Sequence, residues 1–274
     1  MTTDTCASRL KKSLLFFCMV LSVGRAIAQS PQKEQPYRIG ASIGYSFTGF
    51  REETDLPLNK FTNTLTYLID GNIEKGSFFH SLYCGFFRGK NDAVPAVPLY
   101  EIEIYPPLQS FMYYQKEYIF TRAYLEYALD YRLWGNRTFP GYLGGAFRAD
   151  LYLVETLSDQ HFSITGLGSL GLHITQKWII NADNMLVFSC NFPLIGYAVR
   201  PPYFGSYYEY SQFEKKIISM HNNLAVFAGL KYSHKINELI SLSTGLGFEL
   251  SRITFPRPRK DAAFRLNTGI AFTF

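Results

Sequence analysis

The sequence predicts an all-β fold, a closed antiparallel up-and-down barrel of ten strands that spans a membrane. Three observations carry this. First, in the last stretch, Asp261 to Phe274, the residues Phe264, Leu266, Thr268, Ile270, Phe272 and Phe274 alternate with Arg265, Asn267, Gly269, Ala271 and Thr273. Alternate side chains of a strand point to opposite faces, so this strand has one apolar face and one small, polar face. Second, the same alternation recurs along a chain whose apolar set is dominated by 24 Phe and 20 Tyr, and no stretch beyond the N-terminal region is long and apolar enough for a spanning helix. Third, the connections alternate between long and short.

The chain opens with a targeting pattern. Arg9, Lys11 and Lys12 precede the apolar run Ser13 to Val23, and Ala26-Ile27-Ala28 is a small-x-small cleavage site. This is the layout of a secretory signal peptide over residues 1–28. The run is too short to span a bilayer. The residue after the cut is Gln29, not Cys, so no lipidated N-terminus is expected. The signal holds four of the 27 basic residues and one of the 22 acidic ones, so the mature chain is close to neutral. That balance is no nucleic-acid footprint. Of 4 cysteines, Cys84 and Cys190 remain. Both fall on apolar parity and read as small hydrophobes; a disulfide requires their strands to be neighbours.

The elements follow in order. Residues 29–36 are a flexible lead, and 37–274 form the barrel. Strand one starts at Tyr37, with Tyr37, Ile39, Ala41, Ile43, Tyr45 and Phe47 on one face and Arg38, Gly40, Ser42 and Gly44 on the other. Arg51 to Lys60 is a charged loop. Strand two, Phe61 to Glu74, alternates less cleanly and ends in the turn Glu74-Lys75-Gly76-Ser77. Strand three, Phe78 to Arg88, has Leu82, Cys84 and Phe86 outward. Gly89 to Glu117 is long, proline-bearing and aromatic, with a short candidate strand at Leu99 to Tyr105. Eight or twelve strands also fit, because strand two and that segment are ambiguous.

Strand four, Tyr118 to Trp134, turns at Gly135-Asn136-Arg137-Thr138 into strand five, Phe139 to Glu155. After the loop Thr156 to His161, strand six runs Phe162 to Ile174. Thr175-Gln176-Lys177 is the expected turn into strand seven, Trp178 to Phe192. Pro193 to Lys216 is the second long aromatic loop. Strand eight, Ile217 to Ser233, turns at His234 to Asn237 into strand nine, Glu238 to Thr254. The basic loop Phe255 to Lys260 leads to the last strand. The odd-numbered connections are loops and the even-numbered ones tight turns, the two-rim pattern of a membrane barrel.

A soluble β-sandwich also alternates, but its outward face is polar and its inward face bulky. Here the polar face is rich in Gly, Ser, Ala and Asn and also carries charges, which suits a narrow lumen. Closure removes edges that hydrocarbon does not tolerate.

On the signal ending Ala26-Ile27-Ala28, the alternating strands and the terminal Ile270-Ala271-Phe272-Thr273-Phe274, the chain resembles the small outer-membrane β-barrel proteins of Gram-negative bacteria. The resemblance implies export to the outer membrane and contact with outer-membrane lipid. It also implies that Phe272 and Phe274 are part of the signal read by the barrel-assembly machinery. It leaves function open, because the fold hosts pores, adhesins, enzymes and structural proteins.

Three sets of candidate functional residues stand out. Asp70, Arg122, Glu126, Asp130, Arg132, Arg148, Asp150, Asp183, Lys231, Glu249 and Arg265 carry inward-facing charge. They read as a salt-bridged plug or as a selective channel lining. On the turn after strand four, a three-residue connection pairs Arg122 with Asp150 and a five-residue one pairs Glu126 with Arg148; both oppose unlike charges. Tyr203, Phe204, Tyr207, Tyr208 and Tyr210, with Tyr100 to Tyr114, are aromatic loop residues that stack on a surface ligand or on one another. Histidines His80, His161, His173, His221 and His234, with Ser158 and Asp159 beside His161, are the material for an enzyme acting on lipid or peptide. No cofactor, no metal cluster and no nucleic-acid partner is expected. The main expectation is a plugged pore or a surface-exposed binding or structural protein. The barrel enzyme is the alternative.

Overall fold

A computed structural model describes residues 37–52, 58–91, 118–156, 162–200, 214–254 and 259–274. The strands are β1 (Tyr37–Glu52), β2 (Leu58–Lys75), β3 (Phe78–Asn91), β4 (Tyr118–Trp134), β5 (Gly141–Thr156), β6 (Phe162–Ile179), β7 (Asn184–Arg200), β8 (Glu214–Ser219), β9 (Asn223–Lys235), β10 (Ile240–Ile253) and β11 (Arg259–Thr273). Each pairs antiparallel with its neighbours, and β1 pairs β11 to close the ring. β8 and β9 share one position beside β7, so the ring has ten staves. The last residue takes part in the closure: Phe274 N donates to Tyr37 O at 3.0 Å.

The barrel is inside-out relative to a soluble protein. Phe264, Leu266, Ile270 and Phe272 stand about half exposed on the outer face, as do Ile39, Tyr45 and Phe47. Arg122, Glu126, Asp130, Arg148, Asp150 and Glu249 are buried inside. Large apolar side chains are stable outside only where the surrounding solvent is hydrocarbon. The outward band from Tyr37 to Phe47 covers roughly 25 Å along the barrel axis at ~3.3 Å per residue and ~40° tilt.

Several boundaries differ from expectation. The strands β1, β2 and β3 run past their predicted ends, leaving shorter loops. The expected turn at Thr175-Gln176-Lys177 is strand. Thr175 and Lys177 face inward, whereas Gln176 keeps the outer parity beside Gly141 and is covered by Trp134; Thr175 and Gln176 are 1% and Lys177 6% exposed, and each has a partner. The real turn is four residues on, where Asn181 Oδ1 accepts from the backbone N–H of Asp183 and Asn184 at 2.9 and 2.8 Å. An Asn side chain that mimics a backbone turn in this way is a strong local signal.

β7 runs on to Arg200, past the expected loop start at Pro193. Pro193 has no N–H to donate to a ladder, and the wall is irregular around it. On one side the β6–β7 register shifts at Leu170/Gly171. On the other, Asn191 pairs with Phe227 but Ile195 with Ser219, so the eighth stave is broken into β8 and β9. The turn between them is held by Asn222, whose Oδ1 accepts from Ser219 N at 2.7 Å and whose carbonyl accepts from Thr254 N at 2.9 Å.

Candidate functional site

The lumen is crossed in its middle by a layer of three arginines and three carboxylates. Arg122 and Glu126 come from β4, Arg148 and Asp150 from β5, Glu249 from β10 and Arg265 from β11. Their presence here follows from strand parity alone, since all lie on the polar face. Arg122 Nη2 is 2.6 Å from Asp150 Oδ1, and its Nη1 is 2.5 Å from Glu249 Oε2. Arg148 bonds Asp150 at 2.7 Å and Glu126 at 3.0 Å. Arg265 Nη2 reaches Glu249 Oε1 at 2.5 Å. β4 and β10 are five staves apart in the ring of ten, so the Arg122–Glu249 bond joins opposite walls.

The layer is neutral when all six groups are ionised. Buried charges persist when they are paired and their remaining hydrogen-bonding positions filled. Here Asn191 Nδ2 donates to Glu126 at 2.9 Å, and Arg265 Nη1 to Tyr124 OH at 3.0 Å. Aromatic faces take up the guanidinium planes: Arg148 lies 4.2 Å from the Tyr124 ring centre and 3.8 Å from that of Phe227, and Arg122 lies 4.7 Å from that of Tyr152. These contacts add cation–π attraction.

Toward the long-loop rim, Arg259 bonds Asp261 at 2.7 Å. Phe120, Ile218 and Ile253 are fully buried in the same part of the barrel. Toward the short-turn rim lies a cavity of ≈ 140 Å³ lined by Arg38, Asp70, His173, Lys231 and others. Lys231 Nζ bridges both Asp70 oxygens at 2.6 Å. Below it, Lys177 Nζ is 2.5 Å from Glu74 Oε2, and Tyr142 OH also donates to Glu74. Glu74 and Lys177 again belong to distant staves, β2 and β6. Asp130, fully buried, accepts from Thr175 Oγ1 at 2.9 Å and meets His173 Nδ1 at 2.7 Å.

Most of the charged candidates therefore meet inside. Arg132 is half-buried at the short-turn end, close enough to Glu74 to act on it electrostatically. Asp183 is a correction: it sits exposed in the 180–183 turn, because β7 begins at Asn184 and not at Trp178 as expected. The observed β4–β5 register sets Glu126 opposite Arg148, and Arg122 reaches Asp150 diagonally. Glu74, Arg38, Lys177 and Tyr124 were not singled out as site residues. The inner parity of Arg38 and Tyr124 held the signal, whereas Lys177 was hidden in the misplaced turn.

The other candidates divide. His80 pairs with Tyr127 OH at 2.9 Å on the outer face, and His221 and His234 are exposed. Cys84 and Cys190 are free, on the non-adjacent strands β3 and β7, so they cannot bridge. Phe272 and Phe274 are exposed on the outer face. Tyr203, Phe204, Tyr207, Tyr208 and Tyr210, the segment Tyr100 to Tyr114, and Ser158, Asp159 and His161 lie outside the described residues.

No family model matches the chain, and no curated protein does. Among solved structures, the outer-membrane protease OmpT from Escherichia coli matches over 90% of this chain and 99% of its own, with a TM-score of 0.58 at 6% identity. The translocator domain of the autotransporter NalP from Neisseria meningitidis matches over 99% and 98%, with a TM-score of 0.40 at 11% identity. Neisserial surface protein A matches over 87% and 97%, with a TM-score of 0.37 at 12% identity. The likeness to OmpT establishes the fold alone: the chain is built as outer-membrane β-barrels are.

Proposed function

We propose that this chain is exported through a signal peptide cleaved after Ala28 and resides in the outer membrane. There it acts as a closed barrel that carries its long loops at the cell surface for binding or structural work. Phe272 and Phe274 serve as the assembly signal in this reading. One observation carries it, the Arg122–Glu249 bond of 2.5 Å between opposite walls. An ion entering the lumen meets the three-arginine, three-carboxylate layer and, nearer the short turns, the Asp70–Lys231 and Glu74–Lys177 bridges. A ten-stave barrel is narrow, and open aqueous channels belong to wider ones.

Purified protein in planar bilayers tests this. Wild type is expected to stay silent, and Glu249→Gln to admit flickering conductance as the middle layer loosens. Stable, ion-selective conductance from the wild type would replace the closed barrel with a pore.

A further inference from the structure

The buried cations of the lumen are matched to acids, with one exception. Arg122, Arg148, Lys177, Arg259 and Arg265 each hold a carboxylate at 2.7 Å or less. Arg38 is as well buried, at 9% exposure, yet forms no ion pair among the described residues. Its Nη2 donates to the Ser233 hydroxyl at 2.8 Å, and its Nε has no hydrogen-bond partner among them. Asp70, the carboxylate whose charge acts on Arg38, is bonded through both oxygens to Lys231. A buried charge is costly unless something of opposite sign meets it.

Arg38 forms part of the wall of the ≈ 140 Å³ cavity. Glu126, Arg148 and Arg265 of the middle layer line its inner end. At the short-turn end the side chains of Lys231 and Glu74 keep 22% and 24% exposure, so water has access from that side. The wall is also partly aliphatic. Leu68 of β2 and Met185 and Val187 of β7 line it, on the same inward parity as Asp70 and Ser189.

A guanidinium presents five donors in a planar fork, and a carboxylate accepts two of them in parallel. Aliphatic wall beside that fork gains from cover by hydrocarbon and not from a bare inorganic ion. The cavity is close in size to one of ~150 Å³ that takes up benzene. A ligand of about six to nine non-hydrogen atoms therefore fits.

We propose that this cavity binds a small organic monocarboxylate, with its carboxylate on Arg38 and its hydrocarbon body against Leu68, Met185 and Val187. The ligand enters from the short-turn end, opposite the long loops. It carries one anionic group, because the other cations of the wall, Lys231, Lys177, Arg148 and Arg265, already hold carboxylates. This site is separate from the surface role proposed above and does not depend on it.

The test is calorimetric titration of the folded protein in a nonionic detergent, with detergent alone as the blank. The probes are benzoate and hexanoate, with benzamide as the uncharged isostere and inorganic phosphate as the bare anion. Both carboxylates are expected to bind saturably and to compete with each other, and benzamide to bind at least about tenfold more weakly than benzoate. Arg38→Gln is expected to weaken benzoate binding by about tenfold or more. Val187→Phe, which fills the cavity, should abolish it. Arg137→Gln, exposed at the short-turn rim, should leave it unchanged. If Val187→Phe fails to fold, the Arg38 variant and the benzamide comparison still decide. No saturable binding of either carboxylate, equal affinity for benzamide, or unchanged benzoate binding in the Arg38 variant or in a folded Val187→Phe would each overturn the proposal. So would phosphate displacing benzoate as well as hexanoate does, which would reduce the site to a place for any anion.

Discussion

Gly85 stands directly opposite Tyr124 in the β3–β4 ladder, and a β-carbon at Gly85 would fall 2.1 Å from Tyr124 Cε1. The missing side chain is the space in which the Tyr124 ring lies. That ring accepts the face of Arg148 at 4.2 Å, and its hydroxyl holds Arg265. One glycine on a neighbouring strand thus positions the aromatic centre of the charged layer. Gly85→Ala is expected to destabilise the barrel by about 1–3 kcal/mol, the usual cost of overpacking. Equilibrium unfolding in detergent measures it. In a Tyr124→Ala background the same substitution should cost far less, and an equal cost in both backgrounds would remove Tyr124 from the explanation.

Glu249 is the acid shared by all three arginines, at 2.5 Å from each of Arg122 and Arg265 and 3.5 Å from Arg148. Glu249→Gln keeps the shape and removes one charge, leaving three guanidiniums against two carboxylates in a buried layer. Removing one partner of a buried pair leaves an uncompensated charge and costs about 3–5 kcal/mol. The loss should appear in the same unfolding assay. A loss under about 1 kcal/mol would mean that water already screens this layer.

Lys177 offers the matched contrast. Its side chain is 8% exposed, but that of its partner Glu74 is 24% exposed. After Lys177→Met, the carboxylate can turn to water and keep Tyr142 as a donor. The expected cost is about 1–2 kcal/mol, near the lower end for a buried group deprived of a partner. Lys177→Met should therefore be milder than Glu249→Gln, and the reverse ranking would contradict the burial difference.

Much of this fold was legible because one parity rule serves every stave. Phe264 and Leu266 outside and Arg265 inside follow from alternation in β11, and the same reading sorted Arg122 from Ala123. Two features escaped. Thr175-Gln176-Lys177 reads as a turn because polar runs usually meet water. In this barrel the run is satisfied by protein instead, Thr175 and Lys177 inside the lumen through Asp130 and Glu74 and Gln176 on the outer parity through Trp134. Pro193 reads as a loop start because proline usually leaves a sheet. Here the wall bulges around it instead, and β7 continues to Arg200. Which charges meet across the lumen is a property of ring closure, so the Arg122–Glu249 bond, between residues 127 apart in sequence, had no local signal.

Leu266 and Leu239 separate a membrane wall from a merely greasy surface. They are similarly exposed within the protein, at 51% and 61%. In water, replacing either by Arg would be equally mild. Leu266 pairs with Tyr45 and Leu246 midway along the outward band, whereas Leu239 lies in the short turn at the rim. Arginine at the bilayer midplane costs about 2–4 kcal/mol, falling to about 0–1 near the interface. Leu266→Arg is therefore expected to be the costlier by at least about 2 kcal/mol when unfolding is followed from lipid bilayers. The gap should shrink in detergent, whose micelle adapts around a charge. Equal costs in bilayers would place Leu266 in water, and the outward face would then need another explanation than hydrocarbon.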